Sequence, residues 1–184
     1  MRVVAGSARG RRLVAPPGAA VRPTTDRVRE AVFNALHSLG AIEGAVVLDG
    51  FAGSGALGVE ALSRGAGHVV FVDPDRSARD AVHTNVAAIA GTDRAEVRAD
   101  RVERVLADAA TAGRRFDLVL LDPPYRYEAW PELIVATSAV LSADATVVIE
   151  SDHPVPVEPS LGVTRQRRYG STVVTFARPP GADT

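Results

Sequence analysis

Short runs of apolar, often β-branched residues recur along the chain and end at an acid, and apolar positions at helical spacing lie between them. Residues 45–49 (AVVLD) read as a buried strand, and 55–65 as a helix closed by Gly65. Residues 68–73 (HVVFVD) form a second strand. Residues 75–90 follow as a helix with Ala78, Val82, Val86 and Ile89 on one face. The alternation continues with a weaker strand at 95–100, a helix at 101–110, a strand at 116–122, a helix at 128–141 and a strand at 146–151. Pro154, Pro156 and Pro159 then interrupt the chain, and 163–178 reads as two strands around a glycine-containing turn.

Continuously apolar strands alternating with helices predict an α/β fold: a mostly parallel sheet covered on both faces, with the C-terminal hairpin as an antiparallel edge. The start of the chain differs. Residues 1–16 predict a small β-hairpin turning at 6–10. A helix starts near Thr25 with Ala31, Val32, Ala35, Leu36 and Leu39 as its apolar side. The expected organisation is therefore an N-terminal extension, 1–24, and one domain, 25–184. The extension precedes every sheet element, so the sheet is expected to fold without it, and the extension to serve as a contact surface.

A length of 184 residues suits a single domain with this core. No run of 18 apolar residues is present, and the N-terminus turns polar within five residues, so a cytoplasmic protein without membrane contact is expected. Cysteine is absent, and His37, His68, His83 and His153 lack metal-ligand spacing, so no metal is expected. The net charge of −1 conceals an asymmetry. Arg2, Arg9, Arg11, Arg12 and Arg22 crowd the first 25 residues without an acid, and Arg165, Arg167, Arg168 and Arg178 do the same in 161–178. Basic ends on a near-neutral body point to a polyanionic partner.

Ligands of open α/β sheets bind beyond the carboxyl ends of the strands. Asp49, Asp73, Asp100 and Asp122 all fall there, each about one strand–helix unit after the last. A single aspartate after a strand is usually a helix cap, but four along one rim suggest a site. Gly53, Gly55 and Gly58 spell a G-x-G-x-x-G loop, which with Asp73 invites a dinucleotide reading. Asp49 argues against it, because a carboxylate there would repel a pyrophosphate yet suit a cation. S-adenosyl-L-methionine carries an ammonium and a sulfonium and no phosphate. After the fourth strand comes Asp122-Pro123-Pro124-Tyr125. Its prolines remove two N–H donors, which leaves the Asp122 carboxylate and the Pro123 carbonyl as acceptors beside an aromatic ring. That set can hold the hydrogens of a planar exocyclic amine and stack on its base.

DGFAGSGALGVEALSRGA and LDPPY, with RVVAGSARGRRL and RPTTDRVREAVFNAL, resemble the bacterial 16S ribosomal RNA guanine-N2 methyltransferases of the RsmD type over nearly the whole chain. The resemblance implies a Rossmann-like class I S-adenosyl-L-methionine-dependent methyltransferase fold. It implies that Asp49, Phe51, Gly53 and Gly55 flank the methionine end of the cofactor. Asp73 would bind the ribose hydroxyls and Asp100 the adenine amine. Asp122, Pro123, Pro124 and Tyr125 would hold the target base, with Asp122 also next to the cofactor. Arg9, Arg11, Arg12, Arg22, Thr24 and Arg27 would line the RNA side. The implied substrate is a guanine of 16S rRNA in the 30S subunit or an assembly intermediate, and the protein is expected to be a monomer. Gly50 departs from the leucine usual in that family, at a position that bears on strand packing more than on chemistry.

Three other readings are open. An adenine-N6 methyltransferase would use the same acceptors. A non-catalytic ribosome-assembly factor could keep the fold, although the intact Asp122–Tyr125 motif argues against it. A nicotinamide dehydrogenase would need the glycine loop to hold phosphates.

Overall fold

The computed structural model describes residues 1–17, 26–124 and 126–181. Helix α1 spans Asp26–Ser38. The sheet elements then alternate: β1 (Val46–Asp49), α2 (Ala56–Ser63), β2 (His68–Val72), α3 (Arg76–Ala88), β3 (Ala95–Arg98), α4 (Val102–Thr111), β4 (Phe116–Leu121), α5 (Trp130–Ser138) and β5 (Leu141–Ser151). Strands β6 (Gly162–Tyr169) and β7 (Thr172–Arg178) close the chain as a hairpin. No helix among the described residues is long and apolar enough to cross a membrane.

The seven strands are ordered β3-β2-β1-β4-β5-β7-β6. β1 to β5 are parallel, and β7 is antiparallel to both neighbours. The predicted mostly parallel sheet with an antiparallel C-terminal edge is therefore present. Strand order reverses between β2 and β4 at the central β1, the point where such sheets open a ligand crevice.

Each face has its own core. α1, α2 and α3 cover one face through Val32, Phe33, Leu36, Val59, Leu62 and Val82, packed on Val47, Val69, Phe71, Leu118 and Leu120. α4 and α5 cover the other through Val105, Leu106, Leu133 and Ile134 on Leu48, Val70, Val119 and Ile149. Consecutive strand residues alternate between the two cores, as the period of two demands.

Two elements differ from the expected bounds. β5 begins five residues before the apolar run that marks it, because Leu141 already pairs with Phe116. The N-terminal segment meets itself at one antiparallel bridge, Arg2 to Arg12, with no longer ladder among the described residues.

That segment packs against the domain. Val3 and Leu13 lie in the same core as α1 and α2. Glu60 of α2, fully buried, accepts the Val4 and Ala5 amides at 2.7 and 3.0 Å. The Ser7 amide donates to the Ser63 carbonyl at 2.8 Å. Gly6 presses so closely on Ser63 that a Cβ there would lie 1.9 Å from its carbonyl oxygen, and its φ of +84° also favours glycine. The buried Arg29 bridges this junction, donating to the Arg2 carbonyl and to Asp26, with Glu60 at 3.8 Å.

Candidate active site

Asp49 ends the central strand, where it is buried, and its Oδ2 accepts the Gly58 amide of α2 at 2.9 Å. Burial raises its pKa to about 7; the Gly58 hydrogen bond opposes this, and the charges of Asp122 and Asp73 add to it. That mutual electrostatic influence places the three carboxylates in one neighbourhood.

Asp73 shapes the glycine loop. Its Oδ2 accepts the Gly53 amide and its Oδ1 the Asp75 amide, both at 2.9 Å. A carboxylate has about four acceptor positions, so each oxygen keeps one for a ligand hydroxyl. Asp75 caps α3 by accepting the Ala78 amide. The loop needs glycine for two different reasons. Gly53 has φ +52° with open space beside it, whereas Gly55 has φ +76° and a Cβ there would lie 3.1 Å from Val82 Cγ2 and 3.3 Å from Phe71 Cε1. Asp100 is half-buried two residues past β3, where it accepts the Arg101 amide at 2.8 Å.

Asp122, Pro123 and Pro124 line a pocket with Tyr127, Trp130, Glu150, Ser151, Asp152, His153 and Thr172. The last β4–β5 pair is Leu121 with Ile149, so one further step sets Asp122 beside Glu150. An aromatic stack anchors this wall. The Tyr127 ring meets Phe51 edge-on at 5.4 Å and Trp130 at 5.3 Å. The Tyr127 hydroxyl donates to Glu103 at 2.7 Å and its amide to the Pro124 carbonyl at 3.0 Å. Burial and the Glu103 bond push its phenol pKa well up, so it stays neutral. Phe51 thus joins the cofactor loop to the loop carrying Asp122 and Pro123.

The structure gathers Asp49, Phe51, Gly53, Gly55, Asp73, Asp100, Asp122, Pro123 and Pro124 on the carboxyl rim. Tyr125, Arg22 and Thr24 lie outside the described residues. Arg27 is exposed in the first turn of α1. Arg9, Arg11 and Arg12 are exposed on a concave surface shared with Arg2 and Ser7. The outgoing limb of the N-terminal segment runs along α2 in its own direction, Val4 at Glu60 and Ser7 at Ser63, and the returning limb brings Val14 back to Asn85, which also holds the Ser54 carbonyl. The segment's arginine-bearing tip therefore lies at the end of α2 away from the cofactor rim.

Sequence reasoning missed Tyr127, Glu150, Glu60 and Asn85. Asn85 of α3 is buried and donates to the Ser54 carbonyl at 2.8 Å while holding Val14. A lone acid within the otherwise apolar α2 was the available signal for Glu60, whereas Asn85 sits among the many polar residues of α3 and carried none.

This strand order, glycine loop and carboxylate rim define a Rossmann-like S-adenosyl-L-methionine-dependent methyltransferase. The chain belongs to the RsmD family, matched over residues 1–178 under the description Conserved hypothetical protein 95. It is 39% identical to YlbH of Bacillus subtilis, covering 98% of this chain and 100% of that one. It is 36% identical to ribosomal RNA small subunit methyltransferase D of Escherichia coli K12, covering 83% and 75%. Among solved structures, Escherichia coli yhhF aligns over 97% of both chains with a TM-score of 0.85 and 33% identity.

Proposed function

We propose that this protein transfers a methyl group from S-adenosyl-L-methionine to the exocyclic N2 amine of a guanine in 16S rRNA, within the 30S subunit or an assembly intermediate. The observation that carries this reading is the pocket in which Asp122, Pro123 and Glu150 meet, beside the Asp49–Asp73 rim. The named relative of Escherichia coli, a small-subunit ribosomal RNA methyltransferase, supports the class of substrate.

The residues present fit the cofactor. Asp49 would offer a buried carboxylate to an ammonium, Asp73 would offer its remaining acceptor positions to the ribose hydroxyls, and Asp100, half-buried past β3, would offer a carboxylate to the adenine amine. Gly53 leaves the space a ligand needs. Phe51, braced by Tyr127, closes the side toward the target base.

When bound, the cofactor supplies a methyl carbon already activated on a sulfonium. Asp122 and the Pro123 carbonyl accept the two amine hydrogens and turn the nitrogen toward that carbon. As the nitrogen takes the methyl group the carbon–sulfur bond would break and leave a neutral thioether, and the nitrogen would become cationic; Asp122 would stabilise that charge and accept the departing proton. Most of the acceleration comes from orientation, worth up to roughly 7–11 kcal/mol in such systems. The target base must leave its stack, at a cost of a few kcal/mol. Stacking on Tyr125 would offset about 1–3 kcal/mol of that. Arg9, Arg11, Arg12, Arg22, Thr24 and Arg27 supply contacts to the RNA backbone.

Glu150 favours guanine over adenine. Guanine presents N1–H and N2–H₂ donors on one edge, which suit two neighbouring carboxylates. Adenine presents an N1 acceptor there, which would face a carboxylate unpaired. The test is to incubate the protein with methyl-labelled cofactor and 30S subunits, digest the RNA and separate the nucleosides. Label in N2-methylguanosine is expected, and label in N6-methyladenosine would overturn the guanine assignment.

A further inference from the structure

Resting on the RNA-methyltransferase reading above, we propose that the edge strand β6 is a second RNA-backbone contact, placed beside the target-base pocket through Arg165, Arg167 and Arg168.

The sheet register locates these side chains. Glu150 pairs with Val174, and Val174 with Arg167, so Asp122, Glu150, Val174 and Arg167 form one row across β4, β5, β7 and β6. Directly paired residues of neighbouring strands share a face. Arg167 and, two residues earlier, Arg165 therefore lie on the face that carries Glu150. Two strand spacings of about 4.8 Å put Arg167 roughly 10 Å from Glu150 along the row. β6 runs parallel to β5 and ends at Tyr169, whose partner Thr172 lines the base pocket. Arg167 shares its row and face with Glu150, and Arg168, paired with Val173, shares its row and face with Ser151; both Glu150 and Ser151 line the pocket. A nucleotide whose base enters the pocket keeps its phosphates outside the mouth, where the long arginine side chains of this strand can meet them.

The charge fits that occupant. Arg165, Arg167 and Arg168 are exposed, and none makes an ion pair or side-chain hydrogen bond among the described residues. Residues 159–181 contain no acid. β6 is the last strand of the sheet, so its outer backbone amides are also open to phosphate oxygens. Arginines on an edge strand also discourage edge-to-edge pairing. That role alone predicts nothing about RNA, which makes the two accounts separable. The contrast with the N-terminal arginines is positional: their loop tip sits at the distal end of α2, whereas β6 adjoins the reacting site.

The experiment compares wild type with the triple variant R165Q/R167Q/R168Q and the charge-keeping R165K/R167K/R168K. Binding to naked 16S rRNA and to 30S subunits is measured across a salt series, together with S-adenosyl-L-methionine affinity and kcat and KM. The glutamine variant should keep cofactor affinity. It should bind naked RNA at least about tenfold more weakly and lose roughly 2 from the slope of log affinity against log salt, at about 0.7–0.9 per phosphate contact. KM should rise while kcat stays within about threefold, and the lysine variant should recover the slope. An unchanged slope and KM would overturn the proposal. So would a loss confined to 30S particles with naked RNA binding intact, because the surface would then serve a ribosomal protein. A wild type that binds RNA in this β6-dependent way but methylates no rRNA would instead refute the function proposed above.

Discussion

Asn85 holds Val14 by both of its backbone groups: Oδ1 accepts the Val14 amide at 2.8 Å and Nδ2 donates to the Val14 carbonyl at 2.9 Å. The same Nδ2 reaches the Ser54 carbonyl in the glycine loop. One amide therefore ties the N-terminal segment to the cofactor loop. Asn85→Ala should cost about 1–3 kcal/mol, the penalty of leaving such groups without partners. That corresponds to a drop in Tm of roughly 2–12 °C for a chain of this size. It should also weaken cofactor binding, because Ser54 loses its anchor. Calorimetry with and without S-adenosyl-L-methionine checks both, and unchanged cofactor affinity in a folded variant would break the link.

Deleting residues 1–13 should destabilise the domain. The deletion removes Val3 and Leu13 from the core and strips Glu60 of two amide donors. Glu60→Ala makes the same point without shortening the chain. It removes the carboxylate that Arg64 bonds at 2.7 Å and that the buried Arg29 faces at 3.8 Å, leaving Arg29 only Asp26, and breaking a buried pair this way typically costs about 3–5 kcal/mol. Denaturant unfolding checks this, and a variant within about 0.5 kcal/mol of wild type would show that the segment is only loosely docked.

Cofactor binding should depend on pH through Asp49. Its folded pKa, about 7, lies above the ordinary 3.8. The folded chain therefore keeps a proton that the unfolded chain releases between about pH 4 and 7. Asp49's contribution to stability is complete below that window and is lost as pH rises through it. A cationic ligand reverses the preference and favours the charged carboxylate. S-adenosyl-L-methionine affinity should therefore rise between about pH 5.5 and 7.5, with proton release detectable by calorimetry in buffers of different ionisation enthalpy. Asp49→Asn should flatten the profile; a profile unchanged by the substitution would remove Asp49 from the ligand's reach.

Gly50 is a packing position. A Cβ built there would lie 2.8 Å from Leu121 Cδ2 and 3.0 Å from Val102 Cγ2. These are the ends of adjustable side chains, so Gly50→Ala should cost less than about 1 kcal/mol. Gly50→Leu overpacks the same space and should cost about 1–3 kcal/mol. Cofactor affinity should stay within about threefold in both. A larger change there would mean that the position shapes the site as well as the core.

The sheet was legible because its strands are continuous apolar runs and each parallel strand ends near an aspartate, so topology and rim could be read together. The C-terminal hairpin followed from Gly170 between the two strand-like segments VTRQRRY and STVVTFAR. The packing of the N-terminal segment was not legible, because Val3-Val4 and Leu13-Val14 are short apolar pairs flanked by arginines, and their burial depends on Glu60 and Ser63, more than 45 residues away. Asp49, Asp73 and Asp122 could be placed by their strand ends. Glu150 could not, since an acid inside VVIES reads as an ordinary solvent-facing strand residue until the β4–β5 register sets it beside Asp122. Tyr127 was hidden because its role depends on Phe51 and Glu103, from two other loops and helices.

The central claim is that Asp122 holds the acceptor amine while the carboxylates beside it hold the cofactor. Single-turnover methyl transfer from labelled S-adenosyl-L-methionine to 30S subunits, run on wild type and Asp122→Ala with cofactor Kd measured in parallel, tests it directly. The account predicts label in 16S rRNA with wild type, a loss of roughly 10²–10⁴ in the rate with Asp122→Ala, and a cofactor Kd within a few-fold. Transfer by Asp122→Ala at near the wild-type rate, or no transfer to rRNA by wild type, would contradict it.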